Sequence, residues 1–588
     1  MKKHRLKRKK IVYAITLLTM IIIMAIFLNS FYWPYEEVSK RKILMWMIVC
    51  CGILIVPVLV VKLEARSEFA SKIIENIVNV KDGVRKNRKR IGVFGVVGII
   101  GLAGSYIMTH ILSRVLLQKT FNIRLFYVFV ILLFLGLFLT YVWKDAASKV
   151  EKIFLIIALS LGVFCIGVTA DRVGIAWDDQ IHYLRTLNVS NFLNGIMYEA
   201  DYTNINNTPQ YGGTGYDRYS NYEYIESIET IYDSKACQMN HFDNFGVWSL
   251  SYVPSALGIV LGRGLNMSYI GVLNMGRLFN LIMYISLIYW SIKRVKYGKV
   301  LIATIGLIPT TIFLASNYSY DPWLTGFVIL GYAYFFGTLQ ENTQLKNRDI
   351  VVMIGSIGVG CLPKAIYFPL LFPLFFMPKG RFRDDRQKRS YYLATIGMIL
   401  FLIATFLLPI LIGGIGVGDV RGGADVNATE QIKFILNNPM AYIKILFSFG
   451  ADYISINNAE SMLQAYAYSG NGRFYGLVSM MLAVIAFLDK GQDEKEYRLI
   501  KVAGILSCSI TILLSITALY ISFTAVGTGT VAGMQARYII PTIFPALYCL
   551  GVGGTRHKIE QNTFVCLPML IIAFTMIYNL TKFWVIPY

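Results

Sequence analysis

Residues 153–169 of the chain read IFLIIALSLGVFCIGVT, and residues 177–182 read WDDQIH. The first stretch is almost wholly apolar and opens into a polar segment of roughly 75 residues, which predicts a helix that crosses a membrane and ends at its surface. Two adjacent carboxylates and an imidazole therefore follow a membrane span. Carboxylates are costly to desolvate, so a pair at a membrane surface indicates a functional site. The alternative is the solvated start of an ordinary loop.

The whole chain has the composition of a polytopic helical membrane protein. Of its 588 residues, 56% are hydrophobic and only 15% are charged, whereas soluble domains have about 25% charged residues. The net charge of +22 comes from short basic clusters between apolar runs, such as residues 2–10, 85–90, 293–299 and 379–389. This pattern is typical of cytoplasmic loops, and it explains the charge without a nucleic-acid partner. The eight cysteines show no spacing typical of a metal site.

The basic clusters predict a multi-pass protein of the cell membrane with about 15 spans and a cytoplasmic N-terminus. Five crossings precede the acid pair, which places it outside the cytoplasm: 11–33, 43–61, 91–112, 125–142 and 153–169. Ten further crossings are predicted at 269–292, 300–315, 322–339, 350–362, 368–376, 391–412, 474–488, 499–523, 538–552 and 564–586. The tight pair at 350–362 and 368–376 either crosses the membrane twice or re-enters it.

Residues 244–267 are a poor standard span, because Pro254 and several glycines interrupt their apolar run. We expect them to form helices that lie in the outer interface. The alternative is one more transmembrane helix. That alternative is disfavoured because it would place the basic cluster at 293–299 outside the cytoplasm.

Three modules are predicted. Residues 1–152 form an N-terminal extension of four spans. Residues 153–377 form the module that carries the acid pair, with a first outer loop at 171–268. Residues 378–588 form a C-terminal membrane module with a second outer segment at 413–473.

A further acid and three cations are predicted to lie at the same membrane face. Asp321 begins a helix after a short turn, where it can cap the helix or face the acid pair. Arg277 lies about two turns into its helix, Lys364 lies at the tip of the tight pair, and Arg537 opens an inbound helix. Each cation can snorkel or pair with an acid, but together they can also neutralise a phosphate group.

The order of these features resembles the GT-C fold of glycosyltransferases that use polyprenyl-phosphate sugars. At the level of sequence, the chain resembles a bacterial family of predicted membrane proteins known only as a domain of unknown function. The stretches that carry this second resemblance are 178–182, 252–254, 276–280, 315–321, 364–367 and 533–541. The family pattern has Asp-Glu in place of Asp178-Asp179 and proline in place of Trp177. This difference leaves open which acid is catalytic.

The resemblance implies an all-α, GT-C-like helix bundle and a membrane glycosyltransferase. Its donor would be a sugar linked to polyprenyl phosphate, with undecaprenyl as the expected lipid, and its acceptor an extracytoplasmic glycan, polymer or protein. One displacement would invert the anomeric carbon. The catalytic candidates are Asp178 (the preferred base), Asp179 and Asp321, and the substrate-binding candidates are His182, Arg277, Lys364 and Arg537.

The sequence leaves three alternatives open. A divalent metal that bridges the acids and the phosphate is compatible with Asp178, Asp179, His182 and Asp321 as ligands, although nothing requires it. A polysaccharide polymerase or ligase would use a similar outer site. A flippase or transporter of lipid-linked sugars, without catalysis, would favour inverted repeats or acids at the membrane midplane, and the sequence shows neither.

The predicted topology places residues 171–243 outside the cytoplasm. We expect Ser220→Cys, in a Cys237→Ser background, to react with a membrane-impermeant thiol reagent in intact cells. A cysteine at Ser148, in a predicted cytoplasmic loop, should react only after the cells are opened. Protection of position 220 in intact cells would contradict the topology.

Overall fold

The computed structural model describes Met47 and residues 88–115, 121–194, 198–206, 222–236, 245–341, 343–413, 422–423, 425–455, 458, 462–489, 497–551 and 559–585. These residues form helices and connecting segments, and no strand occurs among them. The predicted spans at 11–33 and 43–61 (apart from Met47), and Ser220, lie outside the described residues.

The first half of the described chain contains eight helices. They are α1 Arg88–Val115, α2 Ile123–Val142, α3 Val150–Val168, α4 Asp179–Asn194, α5 Glu199–Asn206, α6 Tyr222–Asp233, α7 Val253–Gly264 and α8 Tyr269–Arg294. A 3₁₀ segment, Val247–Tyr252, leads into α7. Helices α4 to α7 have their own small apolar core beside α8.

The second half of the described chain completes the bundle. Its helices are α9 Lys299–Gly306, α10 Pro309–Ala315, α11 Asp321–Glu341, α12 Asn347–Cys361, α13 Asp385–Gly413, α14 Ala428–Asn437, α15 Pro439–Tyr453, α16 Tyr475–Leu488, α17 Arg498–Phe523, α18 Ile540–Leu550 and α19 Gln561–Leu580. The 3₁₀ segments Leu362–Phe376 and Ala536–Ile539 follow α12 and precede α18. The main core lies among α3, α8 to α12 and α19.

Nine helical segments in the described part of the chain are long and apolar enough to cross a membrane. Eight of them lie in α1, α2, α3, α8, α11, α13, α17 and α19, and each of these matches a predicted crossing. The ninth is Asn347–Phe376, which consists of α12 and the 3₁₀ segment after it. An all-α polytopic membrane protein is thereby confirmed. The total of about 15 spans and the three-module division stay predictions.

The predicted tight pair forms a hairpin. Helix α12 and the 3₁₀ segment after it contain 15 residues each, and as one straight helix they would extend about 45 Å. However, the backbone N–H of Leu345, before α12, donates to the carbonyl of Arg381, after the 3₁₀ segment, at 2.7 Å. The chain therefore reverses. Lys364 lies at the turn, where its φ of −149° and ψ of 71° break the helix.

The predicted crossing at 300–315 is not one helix. It consists of α9 and α10, which are separated at Leu307 and Ile308 and are almost wholly buried. Pro309 at the start of α10 explains the break, because proline lacks the N–H that would continue the helical hydrogen bonds.

The bundle has two chemically different ends. At one end, which we call the basic end, Arg294 of α8 pairs with Glu341 of α11. Arg381 lies there too and donates to the carbonyl of Leu339 and the hydroxyl of Tyr497. At the opposite end, which we call the site end, α3 finishes and α4, α8 and α11 begin. The sequence-predicted acids lie at the site end.

The predicted outer segment at 413–473 is not wholly external to the bundle. Its last part, from Met462 to Arg473, enters the core, where Gln464 and Tyr466 are fully buried. The backbone N–H of Ala465 donates to the hydroxyl of Thr310 at 2.8 Å. The polar residues of this stretch predicted an external loop, but buried side chains of the bundle satisfy its hydrogen bonds.

Close packing of α7 on α8 fixes the position of the 3₁₀ segment before α7. A Cβ atom at Gly258 would strike the carbonyl oxygen of Met275 and crowd the backbone of Gly276. We expect Gly258→Ala to destabilise the protein by about 1–3 kcal/mol, because backbone cannot move aside as a side chain can.

The measurement is thermal unfolding of the purified protein in detergent. Gly264→Ala is the matched control, since a Cβ there meets no atom of the described residues within 4 Å. An unchanged unfolding temperature for Gly258→Ala would contradict the close approach of the two helices.

Candidate functional site

Two carboxylates and one guanidinium form a cluster at the site end. Nη1 of Arg537 lies 3.0 Å from Oδ2 of Asp321, and Nη2 lies 3.3 Å from Oδ2 of Asp178. The Arg537 side chain is 1% exposed, whereas the Asp178 and Asp321 side chains are 19% and 11% exposed. The guanidinium therefore lies beneath two acids that retain limited access to solvent.

The backbone at Asp178 has an unusual conformation. Its φ of 58° lies in the left-handed region, which non-glycine residues adopt at a cost, although aspartate tolerates it better than most. The residue directly precedes α4, and its carbonyl accepts the N–H of His182 at 2.9 Å. Strained backbone of this kind is common at functional sites.

Asp321 is held by its own turn. Its Oδ2 accepts the hydroxyl of Ser319 at 3.0 Å, and its backbone N–H donates back to that hydroxyl at 3.1 Å. Among the contacts of the described residues, this carboxylate does not accept a backbone N–H of α11. The helix-capping alternative for Asp321 is therefore not what the structure shows.

The segment before α18 presents Arg537. The hydroxyl of Tyr453 on α15 donates to the carbonyl of Gln535 at 2.7 Å and lies 3.2 Å from that of Ala536. On the other side, the guanidinium lies 4.9 Å from the ring centroid of Trp177. Helix α15 and the acid-bearing turn thus hold the arginine from two directions.

Lys364 brings a second cation to the cluster. Its ammonium lies over the ring of Tyr538, next to Arg537, and its side chain is half-buried. Burial and the neighbouring Arg537 disfavour its positive charge, whereas the carboxylates of Asp321 and Asp178 favour it. Within the described part of the chain, however, no carboxylate oxygen lies within 4.0 Å of this ammonium, so it forms no ion pair there. A cation in this position remains available to an external anion.

Asp179, the neighbour of Asp178, has a different environment. It is fully buried, and its two oxygens accept the backbone N–H groups of Gly174 at 2.7 Å and of Ile175 and Ala176 at 3.2 Å each. Burial raises the pKa of this carboxyl to about 6, while the three N–H groups and Arg277 oppose the rise. This geometry favours a structural role in folding the loop before α4.

Arg277 lies apart from the cluster. It is fully buried in α8 and donates to the carbonyls of Ala170 at 3.1 Å and Arg172 at 2.8 Å, and to the side chain of Asn274 at 3.1 Å. These carbonyls belong to the loop that Asp179 also binds. Nη1 and Nη2 of Arg277 already donate inside the protein, and its Nε is buried without a partner among the described residues. This geometry does not favour phosphate binding by Arg277, and that role stays a prediction.

His182 lies one turn after Asp178 on α4 and is 4% exposed. Its Nδ1 lies 2.9 Å from the hydroxyl of Tyr252, and its ring meets that of Tyr320 edge-on with centroids 5.0 Å apart. Burial lowers the pKa of the imidazole to about 3, although Asp178 opposes the shift. The ring is therefore neutral at pH 7.

The four candidate metal ligands do not converge. No group of three or more His, Cys, Asp or Glu side chains that could hold a metal ion occurs among the described residues. The guanidinium of Arg537 lies between Asp178 and Asp321, where a bridging cation would otherwise lie. Asp179 is occupied by backbone N–H groups, so the proposed ligand set does not fit a metal in this arrangement.

The structure thus brings together four of the seven predicted site residues and places a fifth, His182, beside them. The predictions missed the side chains that surround them, which are Trp177, Arg185, Tyr252, Tyr320 and Tyr538. Arg185 could have been found from its place three residues after His182 on α4, since residues at i and i+3 share one helix face. Tyr252, Tyr320 and Tyr538 could not have been found from spacing, because they come from other segments of the chain. Trp177 directly precedes Asp178 in the sequence.

The fold and this cluster define a polytopic, all-α membrane protein with a charged site at one end of its bundle. The chain belongs to the family described as predicted membrane protein (DUF2142), whose model matches residues 161–545. This range contains every candidate site residue, and the predicted resemblance to such a family is confirmed. No curated protein matches the chain significantly, and no solved structure does.

The contrast between the adjacent acids can be tested through stability. Asn at position 179 presents one oxygen and one N–H₂ group to three backbone N–H donors, so at least one donor loses its partner. We expect Asp179→Asn to cost about 1–3 kcal/mol of stability, and Asp178→Asn to leave the thermal unfolding temperature nearly unchanged. Equal unfolding temperatures for the two variants would contradict the structural role of Asp179.

Proposed function

We propose that the protein is a membrane glycosyltransferase that moves a sugar from a polyprenyl-phosphate donor to an extracytoplasmic acceptor with inversion. The carrying observation is the cluster itself: two partly accessible carboxylates around a buried guanidinium, with a further cation beside them. Such a site offers a base and a phosphate-binding group side by side.

Asp178 is the proposed base. Of the two adjacent acids it is the more exposed, with 19% of its side chain accessible, whereas Asp179 is fully buried and bonded to backbone. A general base must reach the proton that it removes. Asp321, on the other side of the guanidinium, is proposed to orient the acceptor.

The charges of the cluster support Lys364 as the donor-phosphate ligand. The two carboxylates leave one negative charge uncompensated after they share Arg537. Burial disfavours the charged form of Lys364 and the carboxylates of Asp321 and Asp178 favour it, and its ammonium forms no ion pair in the described structure. A phosphate oxygen can therefore bind its ammonium without first breaking a salt bridge.

The proposed reaction is one displacement. Asp178 takes the proton of an acceptor hydroxyl, and the hydroxyl oxygen attacks the anomeric carbon of the donor sugar. The bond between that carbon and the phosphate oxygen breaks, and its electron pair leaves with polyprenyl phosphate. Lys364 stabilises the negative charge that develops on the leaving phosphate.

The distribution of charge supports an extracytoplasmic site in the cell membrane. The basic end carries Arg294 and Arg381, as cytoplasmic ends of membrane proteins do. The cluster lies at the other end, where a lipid-linked sugar can approach from the outer leaflet. A cluster at one end of the bundle also favours an enzyme over a flippase, whose acids would lie near the midplane.

The experiment compares binding with turnover. We expect Lys364→Met to weaken the binding of undecaprenyl phosphate to the purified protein in nanodiscs by about tenfold, the value of one charge-assisted hydrogen bond. Asp178→Asn should retain this binding, because Asn cannot take a proton but keeps the shape of the side chain. Cells that lack the protein should accumulate a lipid-linked sugar, and Asp178→Asn should fail to restore its consumption.

The control for binding is Lys433→Met, which removes an exposed lysine paired with Glu430. It should bind undecaprenyl phosphate like the wild type. Normal consumption of the lipid-linked sugar by Asp178→Asn and by the Asp178→Asn, Asp321→Asn double variant would contradict the proposed function.

A further inference from the structure

A buried ring nitrogen next to the proposed base has no hydrogen-bond partner. In the described structure, Nε2 of His182 is inaccessible and binds no other polar atom. His182 lies in the first turn of α4, where its backbone N–H donates to the carbonyl of Asp178 at 2.9 Å, and Asp178 exerts the strongest charge effect on the pKa of the ring. A buried polar atom without a partner costs stability, so its retention points to a ligand atom.

The hydrogen bonds around the ring determine which nitrogen carries the proton. Tyr252 lies 2.9 Å from Nδ1, and its oxygen also accepts an N–H of Arg185 at 3.4 Å. An arginine can only donate. If Nδ1 also donated to the phenol, the phenolic proton would have no acceptor among the described residues. The phenol therefore donates to Nδ1, and the neutral ring carries its proton on Nε2.

Burial keeps the phenol of Tyr252 protonated. It raises the pKa of Tyr252 to about 12, so the phenol remains a donor. The guanidinium of Arg185 is itself held by the indole of Trp248, with its central carbon 4.8 Å from the ring centroid. A chain of hydrogen bonds thus runs from Arg185 through Tyr252 to the imidazole.

We propose that the Nε2–H group of His182 binds the oxygen of the acceptor hydroxyl beside Asp178, and that Tyr252 is a positioning residue that fixes the required tautomer. This assignment rests on the proposed glycosyl transfer. The hydroxyl donates its proton to the Asp178 carboxylate and accepts Nε2–H, so both of its hydrogen bonds aim its remaining lone pair at the sugar. The ligand chemistry is an alcohol, not a phosphate.

The tautomer can be measured without any substrate. The protein contains five histidines, and ¹⁵N labelling of these residues in nanodiscs gives separate signals for protonated and unprotonated ring nitrogens. We expect the signals that disappear in His182→Gln to show a protonated Nε2 and an unprotonated Nδ1. In Tyr252→Phe, the same ring should lose this preference. A protonated Nδ1 in the wild type would overturn the inference.

Turnover tests the role of the donor group. Gln at position 182 can place an amide N–H near the position of Nε2, whereas Leu cannot. In cells that lack the chromosomal copy, we expect His182→Gln to consume the accumulated lipid-linked sugar more slowly than the wild type but faster than His182→Leu. We expect His182→Leu to be about fivefold to tenfold slower than the wild type, the effect of one lost hydrogen bond.

Binding of undecaprenyl phosphate separates this inference from the function itself. It should be unchanged in His182→Leu, because the histidine binds the acceptor. If His182→Leu matches the wild type in turnover, or if a folded His182→Gln is as slow as His182→Leu, the inference is wrong and the glycosyltransferase stands. If the wild type consumes no lipid-linked sugar, the proposed function is wrong, and the acceptor role of His182 fails with it.

Discussion

The site depends on one buried guanidinium. Arg537 is almost inaccessible, and a charge in that position is tolerable only if opposite charges compensate it. Asp178 and Asp321 do so, and the three residues come from segments far apart in the chain. Because two acids share one guanidinium, either acid still compensates the arginine when the other is lost, whereas loss of both would leave a buried charge without a partner. The ion cluster therefore ties α4, α11 and the segment before α18 to one another.

A second pair of buried charges supports the first. Arg277 and Asp179 bind opposite polar groups of the same loop, the former its carbonyls and the latter its N–H groups. Together they satisfy backbone that would otherwise be buried without partners. This loop ends at Asp178, whose backbone is left-handed. Arg277 and Asp179 thus hold the loop, and the loop presents Asp178 to Arg537.

The break in the hairpin determines the position of Lys364. A continuous helix would have carried residue 364 along the lipid-facing bundle, but the hairpin turns there and leaves the ammonium beside Tyr538 and the two acids. Prolines in the second arm explain why that arm is a 3₁₀ segment rather than an α-helix. Backbone that departs from regular helix is tolerated at this point because protein, not lipid, surrounds it.

The sequence by itself determined the class of protein, since long apolar runs and basic clusters follow from the cost of burying polar groups in lipid. It also predicted that Asp178, Asp321, Lys364 and Arg537 lie at one membrane face, because charges beside membrane spans are rare and conspicuous. It could not separate Asp178 from Asp179. Adjacent residues have the same local signal, and only the tertiary structure decided that one faces the guanidinium while the other binds backbone. The sequence also could not show that Arg277 donates to the carbonyls of a loop about 100 residues earlier in the chain, because only the tertiary structure brings the two segments together.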